Sequence, residues 1–110
     1  MISAYLNSVD GELVMSEKRL QIEVIQFLRD KGAYVLKNDA NYRTGTPDWS
    51  FWHPDLSGML EIKDHEDSPY RPLQKPTIAK LQAMGIFCEV IHHENWAKWK
   101  AEFDLWLEAG

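Results

Sequence analysis

The chain has 110 residues, of which 45% are hydrophobic and 12% aromatic, and its formal net charge is −5. This length suits a single domain with one modest core, and the composition excludes an intrinsically disordered chain. The acidic balance weighs lightly against a nucleic-acid binder, because charge distribution matters more than the total and a bound cation reverses the local field. It does predict weak DNA affinity for a lone subunit.

The chain carries no sign of a membrane or secretory protein. No apolar run approaches the ~20 residues of a membrane helix, and the first ten residues lack the segments of a signal peptide. The single cysteine, Cys88, excludes an internal disulfide and suits a reducing compartment. We therefore expect a cytoplasmic protein without a membrane partner, with Cys88 packed in a strand.

The first strong helix signal follows a weakly patterned stretch. Residues 1–15 are compatible with an arm, a short strand or a dimer contact. Ser16 is a favourable N-cap, and an apolar periodicity then runs to a natural stop at Gly32. At about 100° per residue, Glu17 falls near the middle of the apolar face, whereas Glu23 lies to its side. Glu17 is either a first-turn acid favoured by the helix dipole or a carboxylate aimed over a sheet, and Glu23 is the reserve candidate.

A predicted hairpin organises the middle of the chain. A short strand at 34–36 leads into a polar loop, 38–46, that contains Arg43 as a solvated charge or a phosphate contact. Two strand-like runs, 49–52 and 59–62, are joined by the turn residues of 53–58. A symmetric turn would place Asp48 opposite Lys63 and Ser50 opposite Glu61.

The alternation of side chains gives this hairpin two different faces. One face is wholly apolar and comprises Trp49, Phe51, Leu60 and Ile62. The other carries Asp48, Ser50, Glu61 and Lys63. Burial of the apolar face fixes this choice, because a slip of one residue would put the carboxylates into the core.

The polar face brings two acids together. Asp48 and Glu61 become diagonal neighbours in the symmetric register, and at ~6 Å and an effective dielectric of ~20 they repel by roughly 3 kcal/mol. Lys63 supplies one positive charge beside both. A hard divalent cation with oxygen ligands would offset the remaining repulsion.

The rest of the chain predicts two helices and a strand. Pro72 suits the first position of a helix that runs to about Met84, with a buried stripe of Ile78, Leu81 and Met84. The run 86–91 is hydrophobic enough for a central strand, and Asn95 is a plausible N-cap for a helix over 96–108. The aromatic stripe of this last helix predicts a core or dimer-facing surface rather than a base-stacking one.

Several spaced motifs, in order, resemble one nuclease family. Pro47-Asp48 and, after twelve residues, Glu61-Ile62-Lys63 are similar to the PD-(D/E)xK motif. The region from Ser16 to about Ile91 resembles the virus-type replication-repair nuclease (VRR-NUC) family of that superfamily. The matching blocks are Ser-Glu-Lys at 16–18, Gly-Thr-Pro-Asp at 45–48, Leu-Glu-Ile-Lys at 60–63, Arg-Pro-Leu-Gln at 71–74 and Ala-Met-Gly at 83–85.

The resemblance implies a restriction-endonuclease-like α/β core of order αβββαβ, with one mixed sheet flanked by helices. That core would span about 16–92 of a single domain, 1–110, between the arm at 1–15 and an extra helix at 95–109. The implied activity is Mg²⁺- or Mn²⁺-dependent cleavage of DNA, in particular of branched or Holliday-junction DNA, by a homodimer of phage or repair type. A bacterial or phage-infected cytoplasm is the implied location.

The resemblance also implies roles for individual residues. Asp48, Glu61 and the backbone carbonyl of Ile62 would hold the metal, helped by Glu17, directly or through water. Lys63 would orient or activate the attacking water, and Gln74 would be the auxiliary polar residue. The candidate DNA contacts are Arg43, Arg71 and Lys75.

Two other functions fit the same sequence. The chain is alternatively a DNA-binding module that keeps the fold without cleavage, or an assembly protein that docks a partner through its tryptophan-rich last helix. Cleavage tests with Mn²⁺ or with chelator separate the first alternative from the nuclease, and a Mn²⁺ titration separates the second.

Overall fold

Seven elements form a four-stranded sheet with helices on both faces. The computed structural model of the protein describes residues 16–38 and 45–109. In chain order the elements are α1 (Glu17–Asp30), β1 (Tyr34–Lys37), β2 (Trp49–Trp52), β3 (Gly58–Ile62), α2 (Gln74–Ala83), β4 (Phe87–Ile91) and α3 (Trp96–Ala109). This order confirms the predicted αβββαβ core with an added C-terminal helix. The arm at 1–15 and Arg43 lie outside the described residues.

The sheet is mixed, and its strands follow the chain order β1-β2-β3-β4. β1 and β2, and then β2 and β3, pair antiparallel through short connections. β3 and β4 pair in parallel, which requires a crossover connection between them, and α2 lies in that connection. The crossover through α2 therefore places β4 beside β3 of the hairpin.

The hairpin register differs from the symmetric one by two residues. Trp49 pairs with Leu60 and Phe51 pairs with Gly58, because β3 begins at Gly58 rather than after it. A shift of two leaves each side chain on its predicted face. Extending the register by one residue sets Asp48 directly opposite Glu61, so the two are closer than the predicted diagonal neighbours.

Two helices cover the apolar face of the sheet. The buried side of α1 and the aromatic stripe of α3 join Val35, Phe51, Leu60, Ile62 and Ile91 in one core. Phe27 of α1 packs edge-on against Trp96 and Phe103 of α3. The stripe of α3 is therefore a core surface, one of its two predicted uses. Burial of each large apolar side chain stabilises the fold by roughly 1.5–3 kcal/mol.

The ends of α1 follow the predicted signals. The Ser16 hydroxyl accepts a hydrogen bond from the Arg19 backbone N–H at 3.1 Å, which satisfies one of the free donors of the first turn. Gly32, with φ 93°, ends the helix in the left-handed conformation that favours glycine. Cys88 is buried in β4, as predicted.

The start of α2 differs from the prediction. Leu73 has φ 69°, which is incompatible with a helix, so α2 begins at Gln74 rather than Pro72. Pro76 then occupies the third position, where its missing N–H interrupts no helical hydrogen bond. Ile78 is buried as predicted, but Met84 is 64% exposed and lies outside the stripe. No helix of the described residues is long and apolar enough to cross a membrane.

Candidate functional site

The polar face of β2 and β3 meets the start of α2 at one cluster of charged side chains. Asp48, at the entrance of β2, is partly exposed, whereas Glu61 is 2% exposed and Lys63 is 9% exposed. The Lys63 ammonium lies 3.6 Å from Glu61 Oε2 and donates to the Pro69 carbonyl at 3.1 Å. The structure thus brings together the acid pair and the lysine that the hairpin pattern predicts.

The backbone of Asp48 is held from two sides. Asn38 donates from its backbone N–H to the Asp48 carbonyl at 2.7 Å and from Nδ2 to the Pro47 carbonyl at 2.8 Å. Asn38 Oδ1 also accepts from the Ser50 hydroxyl. Asp48 itself donates from its backbone N–H to Glu61 Oε1 at 3.0 Å, which fixes one carboxylate against the main chain of the other.

A glycine sets the approach of this segment to α2. Gly45 has φ 92°, and a Cβ at that position would lie 2.6 Å from the Leu73 carbonyl oxygen. Only a residue without a side chain permits that contact. The entrance of β2 can therefore lie directly against the turn that carries Arg71.

Arg71 connects the turn to both acids. Its Nη2 lies 3.0 Å from Asp48 Oδ1 and 3.8 Å from Glu61 Oε1, and donates to the Thr46 carbonyl at 3.3 Å. Two positive and two negative side chains therefore meet here. The sequence predicts only Lys63 as a counter-charge; Arg71 adds a second, so the charges of the acid pair are balanced before any cation is added.

Gln74 holds the Arg71 backbone in place. Its Oε1 accepts from the Arg71 backbone N–H at 3.1 Å, and its own backbone N–H donates to the Arg71 carbonyl at 3.1 Å. The Gln74 side chain is fully buried, and its Nε2 has no hydrogen-bond partner among the described residues. An unpaired buried donor costs roughly 1–3 kcal/mol, a cost that a buried water at this amide would remove.

The environment of Glu61 disfavours its charged form. Burial raises the pKa of Glu61, and the negative charge of Asp48 raises it further. The hydrogen bond from the Asp48 backbone and the charges of Lys63 and Arg71 oppose the rise without cancelling it. A carboxyl whose pKa stays raised, although one hydrogen bond and two positive charges act to lower it, is typical of a functional site.

The oxygen atoms of Asp48 and Glu61 fit a hard divalent cation. One guanidinium nitrogen contacts both carboxylates, so a single positive centre can touch the two side chains at once. In the part of the chain that the structure describes, no group of three or more His, Cys, Asp or Glu side chains is placed to hold a metal. A cation here would complete its coordination with backbone oxygen, such as the Ile62 carbonyl, and with water, as Mg²⁺ commonly does.

The remaining candidate residues are not all part of this cluster. Glu17 is exposed and begins α1, which packs on the opposite, apolar face of the sheet, so its role in an acidic pocket stays a prediction. Glu23, the reserve candidate, accepts a hydrogen bond from Trp96 Nε1 at 2.9 Å. That contact joins α1 to α3 and gives Glu23 a structural role.

The two described basic candidates are Arg71, in the turn before α2, and Lys75, in the first turn of α2. The Lys75 ammonium is 4.9 Å from the centre of the Tyr70 ring, and the Lys63 ammonium is 5.0 Å from it, both within cation–π distance. A cleft of about 510 Å³ opens beside them, lined by residues 66–71 and by Leu73, Lys75 and Pro76. Sequence reasoning missed Tyr70 and Asn38, because no pattern distinguishes a tyrosine or an asparagine that will fold against a distant residue.

The comparisons with known proteins agree in fold. No family model matches the chain, and no curated protein matches it. One solved structure described as "VRR_NUC domain" is similar with a TM-score of 0.69 and 22% identity, over 78% of this chain and 94% of that one. A second, described as "VRR_NUC domain protein", has a TM-score of 0.63 and 19% identity, over 88% of this chain and 92% of that one. The chain has the fold of a VRR_NUC domain, in agreement with the resemblance that its motifs indicate.

Proposed function

We propose that the chain is a metal-dependent DNA endonuclease that hydrolyses phosphodiester bonds, with branched DNA as its preferred substrate. The observation that carries the proposal is the contact of Asp48, Glu61 and Lys63 on the polar face of a VRR_NUC-like sheet. Asp48, Glu61 and the Ile62 carbonyl would hold Mg²⁺ or Mn²⁺. When bound, such an ion supplies charge that polarises a phosphate and favours ionisation of water.

The protein residues have separate tasks in this proposal. The Lys63 ammonium stands beside Glu61 and stabilises the negative charge that develops on the phosphate. Pro69 and Tyr70 hold that ammonium in place, since it donates to the carbonyl of one and lies over the ring of the other. Gln74 is the proposed auxiliary polar group, and it would act through its hydrogen bond to the Arg71 backbone, which positions the turn beside the acid pair.

Phosphate contacts beyond the acid pair would come from the turn before α2. Arg71 and Lys75 border the cleft next to the site, and Arg43 lies two residues before Gly45 in the sequence. The net charge of −5 makes these few cations important for a chain that binds a polyanion. A homodimer with two-fold symmetry would double this basic surface and present two sites to two strands.

A second function has a specific observation in its favour. Lys63 and Arg71 supply two positive charges against the two acids, so the charges of the cluster balance without a metal. The presence of both carboxylates is therefore compatible with a non-cleaving DNA-binding module. An assembly role for the stripe of α3 is less favoured, since Trp96, Trp99 and Phe103 are at most 6% exposed.

Cleavage assays separate the two functions. The purified protein is incubated with supercoiled plasmid, linear duplex and a four-way junction, each with Mn²⁺ or with chelator. We expect Mn²⁺-dependent cleavage, with the junction cut about tenfold faster than the linear duplex, which corresponds to about 1.4 kcal/mol in the barrier. Binding of all three DNAs without cleavage would favour the non-cleaving module.

Matched variants test whether the site is responsible. Glu61→Gln keeps the side-chain shape and removes the charge, and it should abolish cleavage. Glu108→Gln makes the same charge change at an exposed position of α3 and should leave cleavage unchanged. Cleavage that survives in Glu61→Gln would place the activity elsewhere or in a contaminant.

A further inference from the structure

The Arg71 guanidinium contacts the oxygen atoms that the proposed nuclease uses for its metal. Nη2 lies 3.0 Å from Asp48 Oδ1 and 3.8 Å from Glu61 Oε1. Carboxylate oxygens bound to Mg²⁺ lie 2.0–2.1 Å from the ion. An ion at that distance would lie close to the guanidinium nitrogen that already contacts the same oxygens. The positive charges of the ion and of Arg71 would then repel strongly.

We propose that Arg71 and a divalent cation occupy the acid pair alternately. Without a cation, the guanidinium bridges Asp48 and Glu61; when a cation binds, Arg71 leaves and becomes free to contact a phosphate of the DNA. This inference rests on the proposed nuclease function and adds a role that the acid pair alone does not require. Arg71 is thus a competitor of the metal in the free protein and a substrate ligand in the loaded one.

The structure gives Arg71 the freedom for such an exchange. Its backbone is fixed by the reciprocal hydrogen bonds with Gln74, so the turn need not move. Its side chain is 39% exposed and borders the cleft lined by residues 66–71. The guanidinium can therefore swing from the carboxylates into the cleft by side-chain rotations alone.

The free arrangement is electrically neutral, and the cation-loaded arrangement becomes neutral when one phosphodiester binds. In the free protein, Lys63 and Arg71 face Asp48 and Glu61, two positive charges against two negative ones. A divalent cation added with Arg71 in place would leave an excess of two positive charges. After Arg71 moves away, the cation and Lys63 leave an excess of one, which one phosphodiester neutralises. Exchange is therefore coupled to the arrival of DNA.

Calorimetric titration with Mn²⁺ in the absence of DNA tests the competition. Arg71→Gln should bind Mn²⁺ about tenfold or more tightly than the wild type, as expected if the guanidinium occupies the pair about nine-tenths of the time. Lys75→Gln is the matched control, because it removes the same charge from an amine that lies over the Tyr70 ring and not against the acid pair. It should change the affinity by less than about twofold.

Arg71→Lys is a second variant that keeps the charge. Its shorter, non-planar head group cannot reproduce the guanidinium contacts, so its Mn²⁺ affinity should lie between those of the wild type and Arg71→Gln. Equal affinities of the wild type and Arg71→Gln would overturn the exchange. An equal gain in Lys75→Gln would also overturn it, because a general charge effect would then suffice.

Junction binding in Ca²⁺ tests the second half of the proposal. Measured by fluorescence anisotropy, Arg71→Gln should bind a labelled four-way junction several-fold more weakly than the wild type, although it binds the cation more tightly. The slope of log affinity against log salt should fall by about one, as for the loss of one phosphate contact. Unchanged junction affinity and salt slope would remove the phosphate role.

The outcomes distinguish this inference from the proposed function. If neither the wild type nor Arg71→Gln binds Mn²⁺, both the metal site and the exchange are overturned. If the wild type cleaves junctions with Mn²⁺ and Arg71→Gln shows the same Mn²⁺ affinity, only the exchange is overturned. Circular dichroism melting in chelator identifies any variant that is not folded.

Discussion

The backbone N–H of Asp48 donates a hydrogen bond to Glu61 Oε1 across 3.0 Å. The two residues are thirteen apart in sequence and lie opposite each other in the hairpin. One acid is thereby positioned by the main chain of the other, on a sheet whose far face is the protein core. The separation of the two carboxylates is a property of the backbone register, and burial of Phe51 and Leu60 excludes a shift of that register by one residue.

Lys63 should be needed for cleavage but not for metal binding. Lys63→Met keeps the apolar stem and removes the charge beside Glu61, so cleavage of a four-way junction should fall by about 10²-fold or more. Removal of a positive charge leaves Mn²⁺ affinity unchanged or raises it. Single-turnover rates and calorimetric titration measure the two quantities, with exposed Lys80→Met as the control. Wild-type rates in Lys63→Met would contradict the assigned role.

Gln74 should be required for the stability of the turn that carries Arg71. Gln74→Met preserves size but leaves the Arg71 backbone N–H without its acceptor, and it should lower the free energy of unfolding by about 1–3 kcal/mol. Urea unfolding monitored by tryptophan fluorescence gives this value. An equally stable variant would mean that water replaces the amide and that the turn is not anchored by it.

The stripe of α3 should behave as core. Phe103 is fully buried, and Phe103→Ala should lower the free energy of unfolding by about 3–5 kcal/mol. Leu105, two residues along the same helix, is 62% exposed. Leu105→Ala should therefore change the free energy of unfolding by less than about 0.5 kcal/mol. Chemical denaturation of both variants makes the comparison. Similar small losses in the two would favour a partner-docking surface.

A pH-dependent ion pair links the loop after β3 to the turn before α3. His65 Nδ1 lies 2.9 Å from Glu94 Oε2. The hydrogen bond to Glu94 raises the pKa of His65. Desolvation acts to raise the pKa of Glu94, but the bond with His65 and the backbone hydrogen bonds from Glu94 and Glu66 lower it to about 2. The contribution of His65 to the free energy of unfolding is therefore complete below the ordinary pKa of histidine, and it is lost as the pH rises through the raised pKa. The glutamate contribution is complete above about pH 4.5 and is lost as the pH falls towards about 2.

This pair gives a stability difference with a defined pH window. His65→Gln should melt at a lower temperature than the wild type at about pH 5.5, and the difference should shrink by about pH 8.5. Because the pair is exposed, the difference should be small and should decrease with salt. Scanning calorimetry at the two pH values measures it, with Glu94→Gln and the double variant completing the cycle. A difference that grows towards high pH would contradict the assignment.

The fold was predictable where local signals and burial agree. Ser16 and Gly32 define α1, and the alternation of 49–52 and 59–62 assigns every side chain to its observed face. That assignment survives the error in register, because side chains repeat with a period of two and the error was two residues. The start of α2 was wrong because proline at 72 suggests a first helical position, whereas the left-handed Leu73 depends on the reciprocal contact between Arg71 and Gln74.

The candidate site was only partly predictable. Asp48, Glu61 and Lys63 belong to one hairpin, so their meeting follows from alternation alone. Arg71 and Asp48 are 23 residues apart, and β2, β3 and the segment that leads to α2 separate them. No pattern in the sequence indicates their contact. Arg71 was expected at DNA, and its position between the acids is known only from the folded chain.

The most direct test of the account is the cleavage rate of Asp48→Asn on a four-way junction in Mn²⁺, measured beside the wild type at equal folded concentration. Asparagine keeps the backbone hydrogen bond to Glu61 and the shape of the side chain, and removes one of the two charged metal ligands. We expect cleavage to be lost to the background while circular dichroism and the melting temperature in chelator stay close to wild type. Cleavage at the wild-type rate by folded Asp48→Asn would contradict the claim that this acid pair is the catalytic metal site.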